Sequence, residues 1–150
     1  MGTFVDLQRS FEALDTEAIA EKAVEETKED LLALNKKQLL AGYDKNGELI
    51  GDKKPYANAH YAFFKANMNP LPGLGNPDLR LTGSFQDEFD IEISGERILQ
   101  GSSDEKAGEL EQKYGEEIYG LGGKFKVEYV DENLRPAFQR EITKATGLNF

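Results

Sequence analysis

Four carboxylates, Asp104, Glu105, Glu109 and Glu111, crowd one short acidic stretch. Paired carboxylates can move protons or hold a metal ion. Here Lys106 and Lys113 are interleaved with them, and at helical spacing most lie on the outer face. That pattern is a solvated helix surface. Asp44, Asn46 and Glu48 alternate as calcium ligands do, but an EF-hand loop needs glycine at its sixth position, which is Leu49. His60 is the single histidine, with no serine or cysteine motif beside it. Gly73-x-Gly75 has no third glycine at dinucleotide spacing, and no Gly-Lys-Ser/Thr follows. The expectation is a binding or assembly protein, not an enzyme, with no metal and no cofactor.

The elements around these residues read as one domain of 150 residues. Positions 1–42 are helical, and 43–150 are α+β. Phe4, Leu7, Phe11 and Leu14 mark one face of a first helix. Asp15 is suited to cap a second, with Glu17 in its first turn. Ile19, Ala23, Thr27, Leu31, Leu34 and Gln38 form an inward stripe, opposite Glu21, Glu25, Lys28 and Glu29. A single long helix over 16–40 follows, stopping at Gly42. Asn46-Gly47 predicts a tight turn, because both residues accept positive φ. A short helix is expected over 56–67.

Residues 69–77 hold three prolines and two glycines, which excludes a helix or a central strand. They predict a rigid, exposed loop, preset to meet a partner at low entropic cost. Phe89, Ile91 and Ile93 alternate with polar residues as a half-buried strand, turning at Ser94-Gly95-Glu96 into a second strand over 97–100. Asp104 would cap a helix burying Ala107, Leu110 and Tyr114, ended by Gly115. Residues 120–123 read as flexible. Phe125, Val127 and Tyr129 alternate as a third strand or an extended arm. The last helix runs over 133–145, with Pro136 in its first turn, buries Leu134, Phe138, Ile142 and Ala145, and closes at Gly147.

The net charge is −10, spread along the chain, which argues against a nucleic-acid binder working through a basic patch. No apolar run approaches the roughly 18 residues of a membrane span. The N-terminus lacks the basic and apolar regions of a signal peptide, and the absence of cysteine fits synthesis in a reducing compartment.

Several of these pieces recur in a known order. A Leu81-Thr82-Gly83-Ser84-Phe85 turn precedes a hairpin, a helix ends at Tyr114-Gly115, and Arg135-Pro136-x-Phe138 opens the last helix. This order resembles the tail-completion and virion-morphogenesis proteins of tailed bacteriophages. Gln38 to Asp44, Asn69-Pro70 to Asp78-Leu79, Asp104-Glu105-Lys106 and Tyr114-Gly115-x-x-Ile118-Tyr119-Gly120-Leu121 are similar to small virion proteins of Bacteroides-type gut phages and prophages. The likeness spans roughly residues 35–147. The chain departs from the pattern at Ala137, inserted within the "RPF" element, and at Gln112 or Lys113, where a histidine is usual.

The resemblance implies a head–tail connector, neck or tail-completion subunit without enzyme activity, made in the host bacterial cytoplasm and resident in the virion. Its fold would be α+β: a curved antiparallel sheet of about three to four strands, with long N-terminal helices, a central short helix and a C-terminal helix packed on it. Its partners would be copies of itself in a homo-oligomeric ring and adjacent neck, portal or tail-tube proteins. Genomic DNA would pass through without sequence-specific binding. On this reading the proline-glycine loop and the 120–129 arm reach the neighbour, through Pro70, Pro72, Leu74, Phe125 and Tyr129. Two other readings compete: an acidic decoy that mimics DNA and blocks a host nuclease, and a carboxylate-dependent hydrolase.

Overall fold

A computed structural model describes residues 4–94 and 97–148. The expected turn at Ser94-Gly95-Glu96 falls partly outside the described residues, and so do the side chains of Phe4, Leu7 and Phe11. The elements run α1 (Phe4–Glu12), α2 (Thr16–Glu26), α3 (Lys28–Leu40), α4 (Ile50–Lys53), α5 (Ala59–Met68), α6 (Ser84–Asp87), β1 (Phe89–Ser94), β2 (Arg97–Ser102) and α7 (Ala107–Tyr114). A 3-10 turn (Glu116–Ile118) leads to α8 (Gly123–Glu128), a π-helical turn (Tyr129–Leu134) and α9 (Arg135–Thr146). The fold is α+β.

Asp15 caps α2, its carboxylate accepting from the Ala18 N–H at 3.0 Å. The inward stripe is buried from Ile19 to Gln38. The expected single helix is nevertheless two. It breaks at Thr27, where φ is −105° and ψ 13°. Thr27 Oγ1 lies 2.8 Å from the Ala23 carbonyl and 2.8 Å from the Tyr129 hydroxyl. A buried hydroxyl bonded both to its own helix and to a distant side chain competes with the regular helical ladder.

The sheet has two antiparallel strands among the described residues, with Phe89 opposite Ser102 and Ser94 opposite Arg97. Phe89 and Ile91 enter the core, while Asp90 and Glu92 face out. The third strand expected at 125–129 is instead helix α8 running into the π turn. Phe125 and Tyr129 are four apart, so a helix places them on one side, and both are buried; Val127 is exposed. Short apolar runs fit both periods, and here packing decides. Pro136 lies two residues beyond the π turn. It can donate no N–H to the Glu132 carbonyl, and its ring crowds that oxygen. Widening the preceding turn lets the helical path continue from Gly123 to Thr146.

The core joins Leu31, Leu39, Ile50, Phe85, Phe89 and Ile118 to Phe125 and Tyr129. Phe85 and Phe89 meet edge to face at 5.0 Å. The glycine-rich 120–123 segment, expected to be flexible, is fastened instead. Buried Gln38 donates to the Gly120 carbonyl at 2.9 Å and accepts from the Gly122 N–H at 2.8 Å. Buried Asn35 donates to the Gly120 carbonyl at 3.2 Å. Gly122 is needed for close approach, since a Cβ there would meet the Lys45 carbonyl oxygen at 2.0 Å.

Candidate functional site

Helix α5 starts at Asn58, whose side chain accepts from the Tyr61 N–H at 3.1 Å. Its inward residues are Ala62 and Lys65. Phe63, Phe64 and Met68 point outward, with Phe63 64 % exposed. The following loop adds Leu71, 73 % exposed and lining a shallow depression with Met68, and Leu74, 68 % exposed. Leu81 lies beyond it, also exposed. So many large apolar side chains left in water on one helix and its loop exceed the scattered exposure of an ordinary surface.

The loop carrying Leu71 and Leu74 is built rigidly. The Asn69 amide donates to the Leu40 carbonyl at 2.8 Å and to Asp78 Oδ2 at 3.0 Å, closing the loop at its base. The Asn76 amide donates to the Pro72 carbonyl at 2.7 Å. The Tyr56 N–H donates to the Gly75 carbonyl at 2.9 Å. Gly73 and Gly75 take φ of 85° and 87°, which their lack of Cβ allows. Pro72 is turned inward onto Gly42, where a Cβ would come within 2.8 Å of it.

Beneath the loop is a buried ion pair. Lys65 Nζ lies 2.8 Å from Asp78 Oδ1, and both side chains are almost fully buried. Lys65 also donates to the Arg80 carbonyl. Asp78 accepts from the Arg80 N–H at 3.1 Å, and its own carbonyl accepts from the buried Gln86 amide at 2.9 Å. Desolvating two charges costs several kcal/mol per ion, and only close pairing with further hydrogen bonds offsets it. Leu79, between these anchored residues, is held at φ 54°, a conformation non-glycine residues rarely adopt.

Of the residues expected to meet a partner, Pro70 and Leu74 are exposed on this surface, while Pro72 is buried under it. Phe125 and Tyr129 lie elsewhere, 4 % and 5 % exposed in the core, so their side chains support the fold and offer little contact surface. Burial also raises the Tyr129 pKa. A concavity of about 620 Å³ does open beside Tyr129, between β2 and the π turn.

The other chemistry-bearing residues separate. Asp104 accepts from the Lys106 N–H at 2.8 Å, and Glu111 accepts from the Tyr119 hydroxyl at 2.6 Å. Burial and then this bond push the Tyr119 pKa upward. Asp44 Oδ1 accepts from the Asn46 and Glu48 N–H groups at 2.8 and 3.1 Å, the work of a turn. In that turn Gly47 alone takes positive φ. His60 is exposed near the start of α5. No group of three or more His, Asp or Glu side chains among the described residues could hold a metal ion.

Sequence reading missed Phe63, Phe64, Met68 and Leu71 as a surface, because apolar residues on a helix ordinarily face inward. The one available signal was Lys65 amid the aromatic positions. Among the described residues, no helix is long and apolar enough to cross a membrane. Comparison with protein-family models, with curated proteins and with solved structures finds no match.

Proposed function

We propose that this chain is a structural subunit of a phage virion, a ring-forming neck or tail-completion protein that joins head and tail and lets DNA pass. The observation that carries the reading is the apolar ridge of Phe63, Phe64, Met68, Leu71 and Leu74, presented on a clasped loop. A preset apolar ridge suits assembly, because binding costs little ordering entropy. The resemblance of its motif order to phage virion proteins belongs to the same reading. Identical subunits would associate head to tail, and a heterologous interface that closes makes a ring.

A wider, curved sheet of three to four strands belongs to this reading as a sheet completed between subunits. Each strand of the hairpin has one edge that no other described strand pairs, and such an edge is a ready template for a neighbour's strand.

The test is Leu71→Asp with Leu74→Asp in the full chain. Particles assembled with the variant as the only source of this protein should lack the subunit by cryo-EM, while the purified variant melts like wild type. Normal incorporation of the folded variant would sink the assembly role of the ridge. Tight binding of wild type to a host nuclease, competed away by DNA, would move the conclusion to the decoy.

A further inference from the structure

A cleft of about 400 Å³ lies between the start of α5, the turn at residues 79–85 and α7. Arg80, Lys106 and Lys113 line it, and no carboxylate does. In a chain of net charge −10 this is a local reversal of sign. Of the nearby carboxylates, Asp78 is held by Lys65 at 2.8 Å, while Asp87 lies 3.7 Å from Lys36 and flanks Gly83 together with Arg80, outside the cleft lining. None of the three cleft cations has a carboxylate within 4.0 Å among the described residues.

The rest of the wall is aromatic. Tyr56, Tyr61 and Tyr114 contribute three rings. Tyr56 and Tyr61 meet edge to face at 5.1 Å, and Tyr61 keeps 38 % of its surface exposed. Lys106, at the cap of α7, and Lys113, seven positions on, lie on one side of the helix, and Tyr114 lines the cleft beside them. Thr82 and Ser84, with hydroxyls 3.2 Å apart, add donors at the rim.

Clefts of this size hold small ligands. Cations call for an anion, and a guanidinium matches phosphate by a two-pronged hydrogen bond. Tyrosine rings call for a flat, polarisable body, such as a base. We propose that this cleft binds a nucleoside monophosphate, its phosphate between Arg80, Lys106 and Lys113 and its base against Tyr61 and Tyr114. The acidic remainder of the chain limits the site to a short anion, because further phosphates would meet like charge. The site stands apart from the assembly reading and does not depend on it.

Calorimetric titration of the full chain tests this, using AMP, adenosine, inorganic phosphate and a 5′-phosphorylated tetranucleotide. AMP should saturate, with adenosine and inorganic phosphate each at least about tenfold weaker, since each lacks half of the recognised chemistry. Lys106→Gln with Lys113→Gln, both exposed and so harmless to folding, should weaken AMP by about tenfold or more. Tyr61→Leu should weaken AMP and leave inorganic phosphate unchanged. The tetranucleotide should bind more weakly than AMP, because its further phosphates meet the acidic remainder of the chain. No saturation by about 10 mM AMP overturns the site. So does adenosine binding as well as AMP, or the lysine variant binding like wild type. A tetranucleotide tighter than AMP overturns the free nucleotide as ligand and assigns the cleft to strand ends.

Discussion

The α2–α3 pair and α5 solve opposite problems. In α2–α3, Ile19, Ala23, Leu31 and Leu34 are buried, and Glu17, Glu25 and Glu29 face water. In α5 a lysine is buried, and Phe63, Phe64 and Met68 face water. The hydrophobic effect alone would turn α5 over, since each buried large side chain is worth about 1.5–3 kcal/mol. That rotation would pull Lys65 from Asp78 and leave a carboxylate stranded in the core. A polar anchor therefore holds an apolar face outward. Exposure of this kind is maintained by specific interactions.

The largest expected effect comes from cutting that anchor. Lys65→Met should destabilise the fold by about 3–5 kcal/mol in urea unfolding, because Asp78 is left charged and buried. The double variant Lys65→Met, Asp78→Leu should recover part of the loss, leaving the Asn69 and Arg80 donors to account for the rest. If the single variant is as stable as wild type, the anchor does not set the orientation of α5.

Next comes the contrast between two leucines. Leu39, fully buried, should cost about 2–5 kcal/mol when changed to alanine. Leu71→Ala should shift stability by no more than about 0.5 kcal/mol. Equal losses at the two sites would mean that Leu71 is packed and the ridge is no free surface.

The smallest effect concerns pH. Glu141 is mostly buried on α9 and lies 2.8 Å from Lys144, which holds its carboxyl below the ordinary value of 4.5. A depressed folded value stabilises the protein above about pH 4.5, and this contribution is lost as pH falls through the folded value. Glu141→Gln should flatten the acid limb of the stability curve and leave its slope near neutrality unchanged. An identical acid limb in both proteins would remove Glu141 as a source of the pH dependence.

The α2–α3 region was legible because its stripe keeps one period over many turns, and Asp15 announces its start. The break at Thr27 was hidden, since its cause is a hydroxyl 102 positions away. The hairpin was legible by alternation. The α8 segment misled for the same reason, because Phe125-x-Val127-x-Tyr129 satisfies a period of two as well as a helical turn. The proline-glycine loop could be located, and its rigidity expected, from composition alone. Its clasp could not, as Asn69 and Asp78 carry no mark that they will meet. The outward face of α5 was illegible because Lys65–Asp78 pairing, not hydrophobicity, selects it.

The clasp at the base of that loop also has a mechanical meaning. Asn69 ties the ridge directly to the Leu40 carbonyl at the end of α3, and Pro72 braces it against Gly42 just beyond. A push on Leu71 is therefore passed through these two contacts to the end of α3. The segment is a strut, and α3 is the beam it loads.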